Sequence, residues 1–480
     1  MTTVPPVDLK NIQGDILAGI PKKFETTMFF QISNDVEGFR KRLTQIVPLI
    51  TTTTEVSGHR EAISKNKEEA AAQGRKPDLL PIVGVTLAFS QFGLKKIGVN
   101  DPIGDPAFQA GQLADAQNLG DKGTTTNGTF TPDWLPAFKN QVHGVFVIAG
   151  DSHITIDARL VQIRLILGTT IHEVFSVTGN VRPGDQKGHE HFGFLDGISN
   201  PAVQNFDTKP FPGQETIRPG FILLGRDQDP NIANRPAWAV EGSFLVFRYL
   251  SQLVPEFDDF LKKNPIVLPG LTPEQGSEFL GARLVGRWKS GAPLDLAPLQ
   301  DDPALGADPQ RNNNFRYDFP EDFQTQDRCP FAAHVRKTNP RNDLESLGIS
   351  TEKNRIIRRG VPFGPEVTKD EVTQKKTLHD RGLLFRCYQS VIANGFQFIQ
   401  HSWANNTGFP IQKPEVPGFD PIIGQAADPT SRTMSGSNPQ NQTATLSLPT
   451  EWVVSKGGEY FFAPSISVLR DTFALGVHIV

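Results

Sequence analysis

Only two cysteines, Cys329 and Cys387, occur in 480 residues, which excludes a disulfide framework and a cysteine-rich metal site. One bridge could still join them, but two buried free thiols are the expected state. No apolar run approaches the ~18 residues that a membrane-spanning helix requires. With a mean hydropathy of −0.31, a soluble globular protein without membrane contact is expected. A basic excess is also missing: the net charge is −4 and the pI near 6.2, which argues against a nucleic-acid binder. There is no G-x-x-x-x-G-K-[ST] phosphate loop, no G-x-G-x-x-G dinucleotide turn, no H-E-x-x-H zinc helix and no G-x-S-x-G elbow. C-x-x-C-H, which attaches haem covalently, is absent too. The first residues, M-T-T-V-P-P-V-D-L-K, show no basic region followed by an apolar core, so no secretory leader is read there. The chain is expected to be intracellular, or to start after a removed leader.

What is abundant is phenylalanine, with 34 residues against 4 Tyr, 5 Trp and 3 Met. The scarce three are the side chains most easily oxidised. Their scarcity suits a protein that handles strong oxidants, although compositional drift explains it equally well.

The apolar pattern repeats at long range. A strand at residues 27–32 runs into a helix carrying Val36, Phe39 and Leu43, and Phe244–Tyr249 runs into one carrying Phe257, Phe260 and Leu261. A second pair follows. Val145–Ala149 leads into Ile156, Leu160, Ile163 and Leu167, and Leu383–Tyr388 leads into Phe396 and Ile399. Repeated strand–helix–strand blocks predict two α+β domains of like topology, 1–215 and 216–480, with a Pro-rich boundary between 205 and 240. Residues 101–135, 300–330 and 405–450 read as long loops, expected either to wall a pocket or to be disordered.

Three segments carry candidate chemistry: H-E-H-F-G-F-L-D-G-I-S-N at 189–200, C-P-F-A-A-H-V-R-K-T-N-P-R around His334, and R-I-I-R-R-G-V-P-F-G at 355–364. Each has an ordinary reading on its own. Asp196-Gly197 makes a good turn, a lone His334 fits a satisfied core histidine, and the arginines fit a solvated face. His189 and His191 could form a metal pair, but no third ligand lies near them in sequence.

Taken in order, the three segments resemble the dye-decolorizing peroxidases, especially fungal members. N-I-Q-G-D-I-L at 11–17, G-R-W-K-S-G-A-P-L at 286–294 and G-L-L-F-R-C-Y-Q at 382–389 extend the likeness from residue 11 to about 425. The resemblance implies two ferredoxin-like domains with antiparallel sheets and peripheral helices. One haem b per chain is implied between sheet and helices of the second domain. It makes His334 the iron ligand, oriented by Asp420 of G-F-D-P-I-I-G. Asp196 becomes the acid–base residue and Arg358 the stabiliser of charge on the departing oxygen, with Arg355 and Arg359 as competing assignments. Leu383 and Phe385 would roof the pocket, and Arg336 would bind a haem propionate. Trp403 matches a surface electron-transfer position. Phe363 departs from the pattern, since many relatives carry Tyr there. The implied partners are hydrogen peroxide and aromatic reductants (dyes, phenolics, lignin fragments), with Mn(II) a further candidate through surface carboxylates such as Glu345 and Glu352. The implied setting is extracellular, and the expected assembly is a monomer or small homo-oligomer. A haem-handling protein that releases iron with little turnover is the competing expectation.

Overall fold

Each half of the chain builds a four-stranded antiparallel sheet with the same strand order. The computed structural model describes residues 7–476; residues 1–6, part of the N-terminal stretch in which a secretory leader was sought, lie outside the described residues. In the first half β1 (Phe24–Ile32) leads to α1 (Val36–Ile46) and α2 (Thr53–Ala72). There follow β2 (Val83–Phe89), β3 (Gly144–Gly150), α3 (His153–Leu167) and β4 (Ile171–Asn180). Their order across the sheet is β4-β1-β3-β2. The second half runs β5 (Ser243–Gln252), α4 (Val254–Lys263), α5 (Pro273–Val285) and α6 (His334–Thr338). It then adds β6 (Val361–Phe363), β7 (Gly382–Gln389) and β8 (Val453–Ala463). These strands pair as β8-β5-β7-β6, the same permutation. The repeat in the sequence is thus a repeat in the structure.

The sequence did not foretell that the two sheets join. Phe89 of β2 pairs with Phe462 of β8, and Gly179 of β4 pairs with Phe363 of β6. Each seam is a single residue pair, yet together they close all eight strands into one barrel. The interior holds a shared apolar cluster: Phe29, Phe138, Phe247 and Phe461 crowd together, with ring centroids of Phe29 and Phe247 4.8 Å apart. Helices cover the outside, so strands such as β3 are buried along their whole length and read as unbroken apolar runs.

Residues 11–17 reinforce the seams. Gln13 is fully buried; its amide exchanges hydrogen bonds with the backbone of Leu87 and donates to the Pro464 carbonyl at 2.8 Å. Asp15 accepts the Tyr388 hydroxyl at 3.0 Å and joins a buried ionic cluster in which Arg386 of β7 binds Glu25 of β1.

The helices begin and end where local chemistry dictates. Ser152 caps α3, whose buried face is Ile156, Leu160, Ile163 and Leu167. Thr272 with Gln275 forms a capping box on α5, and Gly286 ends it in the left-handed region at φ +94°. A Cβ there would stand 3.1 Å from that of Val335, so the glycine also lets the helix end approach α6. Among the described residues no helix is long and apolar enough to cross a membrane. Cys329 and Cys387 are free and buried.

Candidate active site

A cavity of about 260 Å³ lies against the outer face of the second sheet. Its floor is Arg248, Leu250 and Gln252 of β5 with Leu383 and Phe385 of β7, since alternate residues of a strand share a face. α6 and the helical turns holding Phe396 and Ile399 form the facing wall, and the 189–200 loop closes one side.

On one wall is His334, the first residue of α6. Its Nδ1 sits 2.8 Å from Oδ2 of Asp420, which leaves Nε2 toward the cavity. Asp420 is fully buried, and its Oδ1 accepts the backbone N–H groups of Ile422 (2.8 Å) and Ile423 (3.0 Å). Burial alone would raise the Asp420 carboxyl, but His334 and these N–H donors hold it below the usual range. Burial likewise works to lower the His334 pKa, and the Asp420 charge overcomes it and raises the imidazole.

Across the cavity stands Asp196. Oδ1 accepts from Arg358 Nη1 at 2.7 Å and from the Gly197 N–H at 2.6 Å. The turn expected from Asp-Gly is therefore present, and the carboxylate serves the arginine as well. Burial would lift its pKa; the Arg358 charge and hydrogen bond, Gly197 and His334 together hold it down. About a third of each side chain stays accessible, and that surface faces the cavity.

The competing arginines fall elsewhere. Arg355 reaches the cavity wall but is bound to Glu215. Arg359 turns away and donates to the carbonyls of Asp15 (2.8 Å) and Leu17 (2.6 Å).

Two expectations need correcting. Arg336 does not line the cavity; it is fully buried on the far side of α6, bound to Asp343 at 2.6–2.7 Å and lying over Tyr317. One residue past the ligand position on a short helix faces the cavity and the next faces the core. Trp403 is not at the surface: it is 3% exposed and stacked on Phe409 at 5.1 Å. Lys337 of α6 fastens it from below by donating to the carbonyls of Trp403, Asn406 and Gly418, its pKa pushed down to about 7 by burial. The proposed Mn(II) carboxylates are occupied as well, Glu345 by Arg316 and Glu352 by Arg218. His191 Nε2 donates to the Phe363 carbonyl (2.8 Å), and burial lowers its pKa to about 4. Among the described residues no cluster of three or more His, Cys, Asp or Glu could hold a metal ion.

Three side chains with no role assigned from sequence are close by. Arg287 lines the cavity, and Arg341 stands behind it, both binding Asn313 Oδ1. Their partners are carbonyls, Ser199 and Asn313, and among the described residues no carboxylate pairs with either. Burial lowers them to about 9 and about 10. Glu190 is the third: its carboxylate accepts the N–H groups of Phe192 and Phe194 at 2.8 Å and folds the Asp196 loop onto Gln252. Arg287 follows the helix-ending Gly286 within G-R-W-K-S-G-A-P-L, the one sequence signal that could have singled it out.

An apolar cavity lined by a carboxylate-backed imidazole, a carboxylate–guanidinium pair and a buried arginine that no carboxylate among the described residues pairs with suits a haem peroxidase. The comparisons agree. The family model described as "DyP dimeric alpha+beta barrel domain" matches residues 11–183, and "Dyp-type peroxidase, C-terminal" matches 188–409. The chain is 45% identical to Peroxidase 2 of Mycetinis scorodonius over 98% of its own length and 88% of the relative's. A point mutant of the dye-decolorizing peroxidase from Pleurotus ostreatus superposes with a TM-score of 0.93 at 52% identity, covering 98% of this chain and 100% of that one. A dye-decolorizing peroxidase solved with 2,6-dimethoxyphenol gives 0.86 at 46%, with the same coverages. The chain belongs to the dye-decolorizing peroxidases, a family of haem-dependent enzymes, and is a peroxidase.

Proposed function

We propose that this chain binds haem b with His334 as iron ligand and uses hydrogen peroxide to oxidise dyes and phenolic compounds, including lignin-derived ones. The observation that carries the reading is that the Asp196–Arg358 pair lines the same cavity as His334, whose other nitrogen is held by Asp420. A protein that merely holds or strips haem has no use for an acid–base pair opposite the ligand. In this reading residues 1–215 contribute Asp196 and residues 216–480 hold the cofactor.

The residues present fit that group. His334 offers one imidazole nitrogen, Leu250, Leu383, Phe385 and Val335 offer apolar walls, and Arg287 with Arg341 offers the positive charge that propionates require. Haem, when bound, supplies the redox centre at which the peroxide O–O bond is cleaved. Asp420 keeps the proton of His334 on Nδ1 and so keeps Nε2 available. Asp196, ionised because Arg358 holds its pKa down, accepts a proton from the near oxygen of peroxide and returns it to the far one, which leaves as water. Arg358 stabilises negative charge on that far oxygen and remains protonated throughout, its own pKa raised by Asp196. Phenolic reductants are the expected electron donors because a similar enzyme has been solved with 2,6-dimethoxyphenol.

Stopped-flow mixing of the haem-loaded protein with peroxide tests the assignment. His334→Ala should lose the Soret band, and Asp196→Asn should keep it while reacting about 100-fold or more slowly. A His334→Ala protein with unaltered haem binding would refute the ligand assignment, and an Asp196→Asn protein of undiminished rate would refute the acid–base role.

A further inference from the structure

Asp196 and Arg358 lie 162 residues apart in the chain, and an ion pair between two partly accessible side chains is a weak fastener. Their spacing must be set by something stiffer. Asn200, four residues beyond Asp196 on the same loop, reaches the strand that carries the arginine. Its Oδ1 accepts the Arg358 backbone N–H at 2.9 Å and its Nδ2 donates to the Arg358 carbonyl at 3.3 Å. Ile357–Arg358 is a two-residue edge strand on β7, paired there with Tyr388 and Cys387. The Asn200 amide presents one acceptor and one donor to the open edge, as a neighbouring strand would.

Both ends of this clamp are themselves held. On the strand side, the Arg359 N–H donates to the Arg386 carbonyl at 2.9 Å, and the Arg359 carbonyl accepts Lys22 Nζ at 2.8 Å. On the loop side, the Asn200 carbonyl accepts Gln214 Nε2 at 3.1 Å, and Ser199 Oγ donates to Asn313 at 2.9 Å. The four-residue span from Asn200 back to Asp196 then fixes where the carboxylate stands relative to the guanidinium.

We propose that Asn200 is a positioning residue for the peroxide reaction, its amide holding the Asp196 loop and the Arg358 strand at the one spacing where carboxylate and guanidinium meet. The inference rests on the acid–base reading given above. The residue type follows from the geometry. Aspartate would have nothing to donate to the Arg358 carbonyl, and alanine would leave the Arg358 N–H unpaired and its carbonyl with Arg359 Nη1 alone at 3.3 Å.

The test compares haem-loaded wild type, Asn200→Ala, Asn200→Asp and Asp196→Asn by stopped-flow reaction with peroxide across pH, together with crystal structures of the Asn200 variants. The charges facing Asp196 are Arg358, His334 across the cavity and Glu190 on its own loop. Only Arg358 is freed by the substitution. Asn200→Ala should keep the Soret band, lose about 10- to 100-fold in rate, and shift its acid limb to higher pH as the guanidinium leaves a carboxylate that burial pushes up. The Asp196–Arg358 separation in its crystal structure should exceed 2.7 Å. If Asn200→Ala reacts like wild type with the same acid limb while Asp196→Asn is slow, the inference falls and the acid–base reading stands. If Asp196→Asn is itself fast, both fall. Should Asn200→Ala fail to load haem, Asn200→Asp, which retains the bond from the Arg358 N–H, is judged by the same criteria.

Discussion

Replacing Asp420 by asparagine changes one atom's chemistry and should weaken haem binding by about 10- to 100-fold, the range for partners that orient a metal-ligating histidine. The wild-type carboxylate faces three donors: His334 Nδ1–H at one oxygen, and the N–H groups of Ile422 and Ile423 at the other. An amide has a single acceptor end. With its oxygen toward the two backbone groups, its NH2 meets Nδ1, and the imidazole must move its proton to Nε2. That nitrogen faces the cavity, and once protonated it cannot bind iron. With the amide reversed, two buried N–H groups are left facing an NH2, each costing about 1–3 kcal/mol. The ligating tautomer is therefore the disfavoured one whichever way the amide lies. The assay is titration of the apoprotein with haem, followed at the Soret band, beside thermal unfolding. Asp420→Ala provides the contrast: it imposes no tautomer, so it should hold haem better than Asp420→Asn. Equal haem affinity for wild type and Asp420→Asn, with identical spectra, would refute the reasoning.

Removing Arg358 exposes the opposing influences on Asp196. The carboxylate is now held below its usual pKa, so the base form survives into acid solution. In Arg358→Leu only Gly197 and His334 still oppose burial, and the acid limb of the peroxide reaction should move to higher pH. The same pair contributes to folding above the unfolded carboxyl pKa, and that contribution fades as pH falls through the depressed folded value. Arg336→Leu removes the two-pronged partner of the buried Asp343, leaving it Lys413 alone, and should cost about 3 kcal/mol in chemical denaturation, with little change in haem affinity of the folded fraction. Arg287→Leu should show the reverse emphasis, haem escaping at least about 10-fold faster to a scavenger protein; unchanged escape would remove its anion-binding role. Trp403→Phe keeps the stacked packing on Phe409, so a selective loss of turnover with bulky dyes would show that electrons pass through a buried indole. Equal loss for small and large substrates would exclude that route.

Local patterns of the fold were legible because they are written within short windows. The apolar face of α3, Ile156 to Leu167, and the strand–helix pairs that begin both halves depend on neighbours a few residues apart. Barrel closure was not legible, because it hangs on two residue pairs, Phe89 with Phe462 and Gly179 with Phe363, which are 373 and 184 positions apart. At the site the ordered motifs placed Asp196, Arg358, His334, Leu383 and Phe385 around one cavity, with Asp420 buried behind His334. Spacing failed at Arg336, where a five-residue helix turns successive residues to opposite environments. It failed at Trp403 because burial there is decided by Phe409 and by Lys337, neither of which a one-dimensional pattern couples to the indole. Arg287 and Asn200 stood inside quoted motifs, but their roles need partners that only the folded chain brings near.

The stitching of Asn11 and Gln13 to Pro464–Ser467 has a temporal consequence. A ribosome delivers β4 some 270 residues before β8 begins. At about 5–20 residues per second the first sheet waits roughly a quarter-minute to a minute with both edges bare. Unpaired edges invite pairing with other chains. The cavity, whose lining runs from Glu190 to Val453, does not exist as an enclosure during that interval. Cofactor capture therefore belongs after translation, and the nascent first half is the stage at which a chaperone has most to shield.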